Sequence, residues 1–256
     1  MSPTGGAPGP ARRRGIRAAL LLVPALLLAG CSAAPPLPTA PPGIDVESFD
    51  GSSGNGLWLV PPAELSARIL DAVRAGGPVA MSGTVHEFVP SEEGELLPGR
   101  TITVDYAGRA GAFRAELGAG GVRTTLLVDE GRTAVRGNPA FADANARPEL
   151  VEGVCTVGDD PAVAQWAPFT DPEALLGAVL TGAELSVAAP SGDGETLAVQ
   201  IGASDSRAGV LIVERYGPPL PRSLSLAETD GDAELGFADW GAEVELGATA
   251  AELGCE

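Results

Sequence analysis

Two stretches of this chain, 79–136 and 184–240, consist of short runs in which apolar residues recur at every second position, with glycines between the runs. Period-two patterning puts alternate side chains on opposite faces of a strand, so one face of each run is dry. Val79–Val89 places Val79, Met81, Val85 and Val89 on one side. Thr101–Tyr106 alternates through Ile102, Val104 and Tyr106, and Ala112–Leu117 through Phe113, Ala115 and Leu117. Val122–Asp129 alternates through Val122, Leu126 and Val128, and Arg132–Arg136 is a shorter candidate. Gly108, Gly111, Gly118–Gly121 and Gly131 fall in the gaps, and short glycine-bearing gaps predict hairpins in an antiparallel meander. The second stretch supplies Glu184–Ala188, Thr196–Ile201, Ala208–Glu214, Arg222–Ala227 and Ala233–Trp240, with Val244–Leu246 as a further short strand.

Helical signals frame these runs. Leu65, Ile69 and Val73 recur at a spacing of four, with Pro61-Pro62 before them and Gly76-Gly77 after, which predicts a helix over 64–75. The segment 138–181 holds no period-two run. Asp143–Leu150 and Asp171–Leu180 predict short helices, the second opened by an N-cap acid, a proline and a further acid. Trp166 and Phe169 fall in the loop between them, and Ala248–Leu253 predicts a last helical turn. The expected class is α+β: a large antiparallel sheet with helices on one face.

The N-terminus carries a different signal. Arg12, Arg13, Arg14 and Arg17 precede an apolar run from Ala18 to Ala29, and Gly30-Cys31 follows. That is the layout of a secretory signal peptide. The run is shorter than the roughly 20 apolar residues of a membrane-spanning helix and contains Pro24. Gly15-Ile16-Arg17 after the arginines breaks the apolar pair of a twin-arginine signal and favours the general secretory route. Leu28-Ala29-Gly30-Cys31 resembles the lipobox of bacterial lipoproteins. The resemblance implies diacylglyceryl attachment to Cys31, cleavage before it, and a mature chain held on the outer face of the cell membrane. The expected organisation is a signal peptide over 1–30, a tether rich in Pro, Gly and Ser over 31–61, and one domain over 62–256. Leu57-Trp58-Leu59-Val60 interrupts the tether, as an edge strand or as a segment lying against the domain.

Charge narrows the partners. The chain has 16 basic and 34 acidic residues, and four arginines but no acid precede Cys31, so the mature chain carries a formal charge of −22. Such a balance opposes nucleic acid and anionic membrane surfaces and leaves a lipid as the membrane contact. Cys155 and Cys255 remain as an even pair. Outside the cytoplasm they form either a disulfide or two buried thiols.

The opening helix running into Val79-Ala80-Met81-Ser82-Gly83-Thr84-Val85, the run Gly209–Val213 leading through Pro218 to Arg222–Leu226, and the closing Phe237-Ala238-Asp239-Trp240-Gly241 resemble the LolA-like superfamily. The nearest branch is the actinobacterial lipoproteins of the LppX and LprG/LprA type. The resemblance implies a strongly curved antiparallel sheet, an incomplete barrel, with helices on its concave side and acyl chains taken between them. It covers most of 62–247. The Cys155–Cys255 pair and the acid- and proline-rich segment 138–181 depart from that pattern.

No catalytic constellation is visible, and the expectation is a protein that is not an enzyme and needs no cofactor. His86 is the single histidine, at a solvent-facing strand position beside Glu87. One histidine and no cysteine cluster leave zinc without ligands. Asp159-Asp160 and Asp230-Gly231-Asp232 lack EF-hand spacing, and the latter reads as a hairpin turn. Gly118-Ala119-Gly120-Gly121 lacks the lysine and helix of a phosphate loop. The candidate site is therefore the apolar face itself: Val85, Ile102, Val104, Phe113, Leu117, Leu126, Val128, Leu197, Val199, Ile201, Leu224, Leu226, Leu235 and Phe237. These residues are either an ordinary core or the lining of an acyl-chain cavity. The corresponding functions are a lipid or lipoglycan carrier, or an envelope scaffold or sensor that docks a partner through an acidic surface.

Overall fold

The computed structural model describes residues 53–93, 95–203, 206–228 and 231–246, together with Ala250, Leu253 and Cys255. The lipobox at Leu28–Cys31 and most of the expected tether lie outside the described residues.

The first helix, α1 (Pro62–Gly76), has proline at its first position, Glu64 in its first turn and Arg74 in its last, charges that complement the helix dipole. Leu65, Ile69, Ala72 and Val73 form its buried stripe. Gly77 ends it at φ 78°, a conformation that favours glycine. Eleven strands follow: β1 (Val79–Pro90), β2 (Leu96–Arg109), β3 (Ala112–Ala119), β4 (Val122–Asp129), β5 (Arg132–Gly137), β6 (Val154–Val157), β7 (Leu185–Val187), β8 (Thr196–Ala203), β9 (Ser206–Glu214), β10 (Pro221–Glu228) and β11 (Gly231–Ala238). Between β5 and β7 lie α2 (Pro139–Ala144), α3 (Pro161–Ala164) and α4 (Pro172–Leu180).

All strands belong to one sheet in the order β6-β5-β4-β3-β2-β1-β11-β10-β9-β8-β7, and every neighbouring pair is antiparallel. The chain starts in the middle, winds out to one edge, crosses through the helical segment to the other edge, and winds back to seat β11 against β1. The edge strands β6 and β7 do not pair, so the sheet is open. Eleven flat strands would span roughly 48 Å at about 4.8 Å each. Yet Val135 of β5 and Leu185 of β7 belong to the same buried cluster as Leu65 and Ile69 of α1 and Leu176 and Leu180 of α4. A few short helices can close such a face only because the sheet curls around them. This is the expected α+β architecture, a curved and incomplete barrel with its helices on the concave side.

Helix α4 starts as expected: Asp171 accepts from the Ala174 N–H at 3.0 Å. Three other expectations need correction. The helix expected over Asp143–Leu150 is displaced, because Ala146 adopts φ 53° and interrupts it. In its place stand α2, capped by Asn138, and a 3-10 turn over Pro148–Val151. The same segment contains β6, an edge strand whose half-buried and exposed positions alternate over only four residues. Val244–Leu246 forms no strand. Of the two placements expected for Leu57–Val60, the segment lies against the domain and forms no edge strand: Leu57, in a 3-10 turn over Leu57–Leu59, is 2% exposed and belongs to the main cluster. Of the last expected turn, Ala250 is helical, and its carbonyl accepts from Leu253 N and Cys255 N at 3.2 and 2.8 Å.

A second small core lies on the opposite, outer face. Leu127, Ala134 and Cys155 occupy one cross-strand row of β4, β5 and β6. Ala250, Leu253 and Cys255 pack on Leu127 and Ala134, and Cys155 and Cys255 form a disulfide with Cα atoms 5.7 Å apart. The C-terminal segment is thus fastened across the outside of one edge of the sheet.

Arg215, just past β9, is buried. Its guanidinium donates to the carbonyls of Ser53, Gly192 and Gly194 at 2.6, 2.6 and 2.9 Å, while its own carbonyl accepts from Asn55 N at 2.7 Å. The planar fork of arginine suits this three-carbonyl arrangement. It joins the beginning of the packed unit to the loop before β8.

Candidate functional site

The concave face and the helices over it form the candidate site. Eleven of the fourteen sequence-selected residues are buried in one cluster, and Val85, Val128 and Leu226 pack against it partly buried. The structure therefore brings the whole set together. Of the three pockets described, none opens through this set; Val104 and Leu117 alone also border one, a groove of about 460 Å³ on the outer face between β2 and β5. Its walls, including Asp105, Glu116 and Arg123, are the polar outward positions of an alternating sheet.

Two polar atoms interrupt the apolar layer. Tyr106, on β2, is 1% exposed, and its ring lies 5.3 Å from that of Phe113 at a tilt of 31°. Its phenol oxygen has no hydrogen-bond partner among the described residues. Burial, with the Asp171 carboxylate as a second cause, pushes the phenol well above its ordinary range, so it stays protonated. Trp166, expected in a loop, is 2% exposed, and its indole N–H is likewise unpartnered. A buried donor without a partner costs about 1–3 kcal/mol. The expected alternation contains Tyr106, but a reading of that face as purely apolar passes over its polar tip.

A cleft of about 240 Å³ is bordered by Val73 and Arg74 of α1, Gly108 and Arg109 at the end of β2, Glu173 of α4, and Trp240. Gly108 stands two positions along β2 from Tyr106. Arg74 bridges the two helices there, pairing with Glu173 at 2.9 Å and with Asp71 at 2.8 Å, and its guanidinium is held above its ordinary value chiefly by Glu173. Trp240 is fixed by its N–H donating to the Pro221 carbonyl at 2.8 Å and by stacking on Phe237 at 6.3 Å.

The remaining sequence candidates are occupied locally. His86 is exposed, with Nδ1 2.9 Å from the Thr101 hydroxyl. Asp160 caps α3 through Ala162 N at 2.8 Å and pairs with Arg147 at 2.7 Å. Among the described residues no three His, Cys, Asp or Glu side chains gather where a metal could sit, and no helix is long and apolar enough to cross a membrane.

An open, curled antiparallel sheet with helices in its concavity defines the class of this domain. Among solved structures the chain is similar to LprF from Mycobacterium bovis, with 12% identity over 72% of this chain and 95% of that one, at a TM-score of 0.39. No family model matches the chain, and no curated protein matches its sequence.

Proposed function

We propose that the chain is an exported lipoprotein, anchored through Cys31, whose domain binds an acyl chain of a lipid or lipoglycan between the concave face and helices α1 and α4. The observation that carries this reading is the pair of buried, unpartnered donors, Tyr106 Oη and Trp166 Nε1, in an otherwise apolar layer. A ligand ester or hydroxyl oxygen would satisfy them, and its chain would gain about 0.8 kcal/mol per methylene buried. The cleft beside Arg74 and Arg109 is smaller than the roughly 300–1,000 Å³ of a preformed ligand pocket. Entry therefore requires α4 to part from α1 at the Arg74–Glu173 bridge. The role is one of binding, without chemistry of its own.

Native mass spectrometry of the chain lacking residues 1–31 tests the reading, with palmitate and a diacyl phosphatidylglycerol as probes. A one-to-one lipid adduct that weakens in Trp166→Phe is expected; retention of neither probe overturns the reading. Anchoring is tested separately: Cys31→Ala should move the full chain from the detergent phase to the aqueous phase.

A further inference from the structure

The hairpin of β1 and β2 outruns the sheet. β11 pairs with β1 only as far as Glu87, and β3 pairs with β2 only from Ile102 onward. Beyond those points β1 and β2 pair only with each other among the described residues, through Phe88–Pro98, Val89–Leu97 and Pro90–Leu96. An isolated two-stranded ribbon is marginally stable in water. This one is secured at its base by a bidentate bridge, Arg100 Nε to Glu87 Oε2 at 2.8 Å and Arg100 Nη2 to Glu87 Oε1 at 3.0 Å. Ser91 and Glu95 close its tip, with Ser91 N donating to the Glu95 carbonyl at 2.7 Å and Glu95 N to the Ser91 hydroxyl at 3.0 Å.

On this arm Val89 and Leu97 are direct cross-strand partners, and each is 47% exposed. The pair lies beyond Glu87 and beyond a register shift between His86 and Phe88, so it stands apart from the concave face as an exposed apolar contact on the arm. Next to them Glu92, Glu93 and Glu95 are exposed, and the segment 88–99 contains no basic residue. Glu87 is already neutralised by Arg100, whereas these three carboxylates form no ion pair among the described residues.

We propose that this arm is a docking element for a protein partner that presents an apolar slot rimmed by Arg or Lys. Charge selects this occupant. A second copy would bring two acidic tips together beside the apolar pair, and an anionic bilayer would repel the same tip. A basic-rimmed slot takes Val89 and Leu97 as its buried anchors and pairs the glutamates at its edge, the usual division between interface core and rim.

The test uses the full chain, anchored in its host envelope, with a benzophenone side chain at position 97 and, as a control, at the exposed edge residue Val157. The expected result is one discrete protein adduct from position 97 and none from 157, the captured protein being basic at the cross-linked peptide. The triple change Glu92→Gln, Glu93→Gln, Glu95→Gln should lower adduct yield by about tenfold, as should raised salt, because rim charges steer the encounter. These substitutions lie at an exposed tip, and an unchanged thermal midpoint shows that the fold is retained. An adduct to lipid only, to a second copy only, equally from position 157, or insensitive to the three substitutions overturns the proposal. Loss of lipid binding leaves this result unaffected, so the two readings fail separately.

Discussion

Tyr106 carries a phenol into a layer that is otherwise hydrocarbon, and that single oxygen couples the core to pH. The folded state holds the group protonated well above the value of an exposed tyrosine, which titrates near 10. The stabilising difference is complete below about pH 10 and is lost as pH rises, because only the unfolded chain can then release the proton. Urea unfolding at pH 8 and pH 11 should show stability falling by about 1.4 kcal/mol per pH unit above pH 10. Tyr106→Phe should remove that slope. The assignment is clean because the chain has only two tyrosines and the other, Tyr216, is 47% exposed. A Tyr106→Phe variant with the wild-type alkaline slope would show that the phenol is not held this way. Arg215 resolves the opposite problem: a buried cation whose donors meet backbone carbonyls instead of a carboxylate. Neither role is visible in sequence, because each depends on segments far from the residue.

At the scale of elements, β1 meets β11 so closely that Gly83 is required. It has φ 151°, and a Cβ there would meet the Glu234 carbonyl and approach Leu235 Cα to 2.9 Å. Gly83→Ala should therefore cost about 1–3 kcal/mol or more through strain and lost pairing at the central junction, measured by thermal unfolding. A cost near zero would mean that the two strands can separate freely. The glycine is legible in the sequence within Ser82-Gly83-Thr84; its reason is not, since Glu234 lies 151 positions away. The long strands are legible because each has one dry face. β6 is not, because a four-residue edge strand with half-buried and exposed positions offers too few residues to show a period. Leu127 departs from the alternation of β4, and its cover is the C-terminal segment more than a hundred residues later. The candidate site is legible only as a face. Alternation says which side chains point inward, not which atoms they touch there.

For the molecule as a whole, the disulfide ties the edge of one half-sheet to the segment that follows the last strand of the other. The residues it joins are 100 apart in sequence. In the chain-entropy model a loop of about that length contributes about 4.7 kcal/mol, an upper figure if the unfolded chain retains structure. Comparing urea midpoints of the oxidised chain and the Cys155→Ser, Cys255→Ser pair should show a loss of about 2–5 kcal/mol. The small outer core over Leu127 and Ala134 should open with it. No loss would mean that the covering segment is held by packing alone.

The chain order also sets a timetable. β1 is the first strand to be synthesised, yet its second neighbour, β11, is the last, so the centre of the sheet stays half-built until almost the whole chain has been delivered. Cys155 waits in the same way for Cys255, 100 residues later. A chain interrupted between β6 and β11 leaves an unpaired strand edge at its middle and a free thiol at its margin. Assembly is therefore gated by the arrival of β11 and Cys255.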